Sequence, residues 1–155
     1  MEAYAFVKTV HILSATVLFG TGLGIAFFFW MGGRSGNDEA AYFAARATVI
    51  ADLLFTTTAV IVQPVTGAWL VMSAGFDPLD RWLVLTYGLY LLVAACWLPV
   101  LFLQWRIRNQ LKQKLSGGPF DAIAHARLRR WWFFLGWPAF LALIAIFHLM
   151  VAKPS

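Results

Sequence analysis

Long apolar runs separated by short polar breaks make up this chain, and four of the runs, residues 4–30, 44–72, 82–105 and 131–151, are each long enough to cross a bilayer. A spanning helix needs roughly 20 mostly apolar residues at about 1.5 Å of rise each. The pattern therefore predicts an all-α fold, an integral membrane four-helix bundle forming a single domain over residues 1–155. The breaks carry ordinary stop and start signals. Gly32 to Gly36 ends the first helix, and Asn37 or Asp38 is placed to cap the next. Gly75 and Pro78 mark a tight turn, with Asp80 placed to cap the third helix. The third connection reads as helix from Gln104 to Leu115, breaks at Ser116-Gly117-Gly118-Pro119 and resumes from Asp121, so both flanking helices are expected to project past the membrane surface.

Within spans a polar group is costly unless it faces the bundle interior, so polar positions mark the faces that meet. Three- and four-residue steps align Lys8, His11, Ala15, Leu18 and Gly22 on the first helix, and Asp52, Thr56, Ala59, Gln63 and Thr66 on the second. They align Thr86, Tyr90, Trp97 and Gln104 on the third, and Arg130, Phe134, Trp137, Leu141, Ile144 and His148 on the fourth. All four stripes are expected to turn inward. Gly20 and Gly24 add a small-xxx-small pair of the kind that brings helices close.

Composition supports the membrane assignment: 61% of residues are hydrophobic and 12% charged, with mean hydropathy +0.74, outside the range of a soluble domain of 155 residues. The first run has no basic leader and no small-x-small cleavage pattern, so it is expected to remain in the mature protein. Charge then orients the bundle. Seven of the twelve Lys and Arg residues (Arg106, Arg108, Lys112, Lys114, Arg127, Arg129, Arg130) crowd the third connection. By the positive-inside rule this places that loop in the cytoplasm, with both termini on the outer, periplasmic side of a bacterial inner membrane. The same basic loop favours anionic inner-leaflet lipid as a contact. Nucleic-acid binding is excluded as a reading, because the basic residues are membrane-proximal and lack a stacking module around them. The single cysteine, Cys96, permits neither an intrachain disulfide nor a Cys-rich metal site.

Depth sorts the buried polar groups into two layers. His11 lies roughly 10 Å inside the outer end of its helix and His148 roughly 5 Å inside its own. Gln63, Thr66, Thr86 and Tyr90 share that outer half. Two facing histidines in an apolar bundle are what a haem b iron needs as axial ligands, so His11 and His148 are candidate haem iron ligands, with Lys8, Tyr90 and Gln63 beside them. The competing reading makes both histidines interfacial residues satisfied by water or backbone carbonyls. Asp52, the sole acid within a span, belongs to the inner half. It is a candidate proton-transfer residue or a structural ion-pair partner of Arg46 or Arg130. Pro64, Pro99 and Pro138 each free a backbone carbonyl one turn earlier, and His125 falls in the basic loop as a solvated residue.

Several segments carry a family resemblance: Lys8-Thr9-Val10-His11-Ile12-Leu13-Ser14-Ala15 followed by Gly20 to Gly24, then Gln63-Pro64-Val65-Thr66-Gly67, Trp97-Leu98-Pro99-Val100 with Gln104, and Leu149 to Pro154. Together they resemble a family of uncharacterised bacterial integral membrane proteins, across all four spans. That family is similar in turn to the group containing copper-resistance protein D and the HemJ-type protoporphyrinogen oxidase. The resemblance implies haem binding at the first-helix histidine, His11. After the first span the chain reads Trp30-Met31-Gly32-Gly33-Arg34, without the leucine-proline-arginine and following histidine of the HemJ type. The expectation is a membrane protein holding haem b or a related tetrapyrrole in its outer half, a possible haem-dependent oxidoreductase. The rivals are a non-enzymatic assembly subunit of a homo-oligomer or larger membrane complex, and a metal-transport-associated protein. Met31, Met72 and Met150 are scattered, which disfavours a copper relay.

Overall fold

The computed structural model describes residues 1–154 and contains four helices long and apolar enough to cross a membrane. They are α1 (Glu2–Gly32), α2 (Asp38–Ala74), α3 (Arg81–Leu115) and α4 (Ala122–Ala152). The helix starts follow local chemistry. The Asn37 side chain accepts from the amides of Glu39 (2.8 Å) and Ala40 (3.1 Å), and Asp121 accepts from those of Ile123 (2.9 Å) and Ala124 (3.0 Å). Asp80 sits at the start of α3 without a side-chain capping bond. The turn before it is organised instead by Asp77, whose carboxylate accepts from the Leu79 amide at 2.9 Å. Gly75 ends α2 in the left-handed region, at φ 73°, where a side chain would be strained.

α1 packs along α2, α3 along α4, and the first half of α2 lies against α3. The α1–α2 turn is closed by Gly32, at which a Cβ would lie 2.4 Å from the Cβ of Ala44. The tightest core is at the basic end, where Phe29, Ala45, Val100, Ile107, Leu111 and Trp132 are buried together. Large apolar side chains elsewhere are exposed in number, as expected of helices whose outer faces meet lipid rather than water.

Two expectations are corrected. Most of the fourth-helix stripe does not turn inward: Arg130, Phe134, Leu141, Ile144 and His148 are exposed, and Trp137, though half-exposed, alone of the stripe borders the central cavity. α4 instead packs through Trp132 and Ala142, with Leu128 and Leu135 partly buried on the basic-end core. Gly20 and Gly24 make no close helix contact, since a Cβ at either would meet nothing within 4 Å.

Two local departures from regular α-helix shape the interior. α2 widens into a π-turn over Asp52–Thr56, and the Thr57 hydroxyl donates to the Asp52 carbonyl at 2.9 Å. Such turns widen the helix by one residue and recur at functional sites. Pro64, also in α2, has no N–H, so the Val60 carbonyl loses its partner one turn earlier. The phenolic hydroxyl of Tyr90 on α3 donates to that carbonyl.

Candidate functional site

A cavity of about 420 Å³ lies between the four helices. Leu18, Gly22 and Ala26 of α1 line it, facing Val93, Val100 and Trp97 of α3, with Trp137 and Phe140 from α4. Two aromatic bridges tie α1 to α4. Toward one end Phe19 stacks on Phe140 (5.2 Å between ring centroids) and meets Phe147 edge-on (5.5 Å); at the basic end Phe29 lies 4.5 Å from Trp132. Between these bridges Gly22 and Gly136 border the cavity, and a Cβ on either would meet nothing within 4 Å. Neither glycine places a side chain in the cavity between α1 and α4.

The polar part of this cavity is concentrated in one place. Asp52 is 2% exposed and Gln104 likewise 2%, and both border the cavity with Thr56 and Trp97. The π-turn brings Asp52 and Thr56 onto this side of α2, and Thr56, Gln104 and Trp97 surround the carboxylate. Their hydrogen-bonding capacity is not used up internally. One carboxylate oxygen of Asp52 (Oδ2), Gln104 Oε1, the Thr56 hydroxyl and the indole N–H groups of Trp97 and Trp132 have no partner. A buried polar group without a partner costs about 1–3 kcal/mol, so Asp52, with one unpartnered oxygen among Thr56, Gln104 and Trp97, is the polar focus of an otherwise apolar cavity. The expected ion pair of Asp52 with Arg46 or Arg130 is not formed. Both arginines are exposed, and among the described residues the one salt bridge is Lys114 to Asp38, at 2.7 Å.

The outer-half candidates are placed elsewhere. None of Lys8, His11, Gln63, Tyr90 and His148 lines the cavity. His11 is half-buried at the α1–α2 contact, with its Nδ1 2.7 Å from the Thr66 hydroxyl. Gln63 donates to the His11 carbonyl at 2.7 Å and also to the Ser14 hydroxyl, so Gln63 and Thr66 cross-link one turn of α1 to α2. The Thr66 hydroxyl lies 2.7 Å from the Val62 carbonyl, an acceptor only. With its proton used there, His11 Nδ1 is the donor to Thr66, and Nε2 keeps its lone pair. Gly67 permits this approach: a Cβ there would lie 3.3 Å from His11 Cε1. His148 and Lys8 are exposed, and Tyr90 satisfies the proline-freed carbonyl. Among the described residues no group of three or more His, Cys, Asp or Glu is arranged to hold a metal ion.

His125, below the fourth span, is half-buried rather than solvated, with its Nδ1 3.0 Å from the Gln110 side-chain oxygen. Burial, then the nearby charges of Arg129 and Lys114, hold its pKa below the usual imidazole value, with Asp38 opposing them in part. A depressed imidazole binds fewer protons folded than unfolded. Its contribution to stability is therefore complete above about pH 6.5 and is lost as the pH falls below that value. A detergent-solubilised protein should melt earlier at pH 5 than at pH 7, and His125→Gln should remove part of that difference; an unchanged pH dependence in the variant would contradict this assignment.

The grouping of Asp52, Trp97 and Gln104 was carried by the polar stripes of α2 and α3. The free donor of Trp132 gave no sequence signal, because tryptophan at a span end reads as an interfacial anchor. No curated protein and no solved structure matches the chain, whereas residues 5–154 match the family described as "Predicted integral membrane protein (DUF2269)"; the chain belongs to that family of integral membrane proteins.

Proposed function

We propose that this protein binds, within the membrane, a molecule with an apolar body and a small hydrogen-bonding end. The molecule enters between α1 and α4 and rests in the central cavity with its polar end against Asp52, Trp97 and Gln104. The observation carrying this reading is Asp52, buried at a π-turn with one carboxylate oxygen unpartnered beside an apolar cavity. Away from water an unsatisfied group has no alternative partner, so a ligand's hydroxyl or amino group offsets a cost otherwise borne by the fold. Free acceptors on Asp52 and Gln104 stand beside the donors of Thr56 and Trp97. A hydroxyl-bearing end, which donates and accepts at once, matches that set.

Native mass spectrometry of protein purified in mild detergent tests the reading. Wild type should carry a non-lipid small-molecule adduct, and Gly22→Leu, whose Cβ meets nothing within 4 Å and whose longer side chain takes up cavity volume, should lose it while remaining folded. Identical adduct spectra for the two proteins would contradict it.

A haem- or tetrapyrrole-dependent redox role at His11 is a second reading, favoured by one observation: Nδ1 is engaged by Thr66, leaving Nε2 as the ligating nitrogen. Haem would supply one-electron chemistry, and His11 would hold its iron. No histidine lines the central cavity, and His148 is exposed. Purified protein should then show a Soret band that His11→Ala abolishes. Folded protein that stays colourless when haem is supplied would exclude this reading, leaving a non-enzymatic assembly or metal-transport-associated role as the alternative to ligand binding in the central cavity.

The basic third connection supports a cytoplasmic position for that loop and a periplasmic one for both termini, in a bacterial inner membrane. A reporter fused after Ser155 should be active only outside and one inserted near Gly117 only inside; activity of both on one side would contradict four spans.

A further inference from the structure

A second cleft, of about 470 Å³, opens at the basic end between α1 and α4, lined by Arg129, Arg130, Trp30, Trp132, Phe133 and Phe134 together with Phe29. Its charge is not neutralised from within. No carboxylate lines it, and the one salt bridge among the described residues, Lys114 to Asp38, lies elsewhere. Arg129 is half-buried, with its guanidinium laid on Gly33 and Nη1 donating to the Gly33 carbonyl. Burial and the neighbouring charge of Arg34 both lower its pKa, so the fold holds two like charges near each other. Arg34 itself lies over the Trp30 ring, 4.9 Å from its centroid. Trp132, 9% exposed, adds an indole N–H that has no partner. Fixed cations, a spare donor and an apolar wall together describe the interfacial end of an amphiphile.

We propose that this cleft is a specific site for the phosphate of an anionic membrane phospholipid. Arg129 and Arg130 receive the phosphate, the Trp132 indole donates to it, and the acyl chains lie against Phe133 and Phe134. Gly33 is a positioning residue. A Cβ there would come within 2.2–2.5 Å of the Arg129 guanidinium, so Gly33→Ala displaces the group while leaving its charge in place. The inference is independent of the ligand proposed for the central cavity.

The test is native mass spectrometry of the purified, delipidated protein titrated with phosphatidylglycerol, phosphatidylcholine or inorganic phosphate. Wild type should prefer phosphatidylglycerol to phosphatidylcholine by about thirtyfold, the scale set by two interfacial cations. Arg130→Gln and Gly33→Ala should each reduce that preference, whereas Arg106→Gln, on the basic end but outside the cleft, should not. Arg130 is exposed, so its replacement leaves the fold intact, and unchanged thermal midpoints in all variants confirm it. The proposal is overturned if wild type shows no headgroup preference, if Arg106→Gln lowers it as much as Arg130→Gln does, or if inorganic phosphate displaces the lipid at equal concentration, which would make the site one for a free anion.

Discussion

Asp52→Asn should raise the thermal midpoint of ligand-stripped protein, by about 1–3 kcal/mol in stability, and should at the same time abolish retention of the cavity ligand. The side chain is 2% exposed, has no cationic partner and leaves one oxygen unpaired among Thr56, Trp97 and Gln104. Asparagine keeps the volume but replaces one carboxylate oxygen with an NH2 donor and removes the ionisable group, so the folded state loses a cost while the site loses half of the acceptor capacity that reads the ligand. Gain of stability with loss of binding is the pattern of a residue kept for function. Had Asp52 been one half of a buried ion pair, the same substitution would strand a charge and destabilise the protein by several kcal/mol. A marked fall in the midpoint of Asp52→Asn would therefore sink the reading of an unpartnered carboxylate.

Tyr90→Phe should cost about 1–3 kcal/mol, through a carbonyl it does not belong to. Pro64 leaves the Val60 carbonyl without its helical partner, and the Tyr90 hydroxyl takes the vacant position from across the α2–α3 contact. Removing the hydroxyl strands that carbonyl where no water competes to satisfy it. Pro64→Ala restores an N–H at position 64, so Tyr90→Phe should cost far less in that background. A thermal or denaturant double-mutant cycle should give a coupling above about 1 kcal/mol. Additive effects would show that Tyr90 acts by some other route.

The four spans, the cap at Asn37, the restart of helix at Asp121 and the inward stripes of α2, α3 and, beyond the exposed Lys8, α1 were readable in the chain, because length, polarity and helical periodicity determine them directly. The face of α4 was not. Its helix is apolar almost all round, so Arg130, Leu141 and His148 aligned into a stripe that the fold exposes. In lipid, an aromatic or an interfacial histidine facing outward costs little, and the packing face is chosen by fit of residues such as Trp132 and Ala142 against their neighbours. The His11 region was readable in depth, since Gln63 and Thr66 share its half of the bundle, but not in partnership: whether Nδ1 donates or accepts depends on where the Thr66 proton goes. The π-turn at Asp52–Thr56 left no trace in the residue pattern, because a single extra residue in one turn changes which side chains converge without changing which residues are polar.

Chemical modification of Asp52 from the membrane phase tests the central claim most directly. The six other acids, Glu2, Asp38, Glu39, Asp77, Asp80 and Asp121, all lie outside the spans, so a lipid-soluble carbodiimide and a water-soluble one should label different peptides. The lipid-soluble reagent should modify Asp52 in membranes and the water-soluble one should not, and Gly22→Leu, which occupies the cavity, should protect Asp52 from the first. An Asp52 that neither reagent reaches, or that is labelled equally in wild type and Gly22→Leu, would contradict a carboxyl group standing in a cavity open to the lipid.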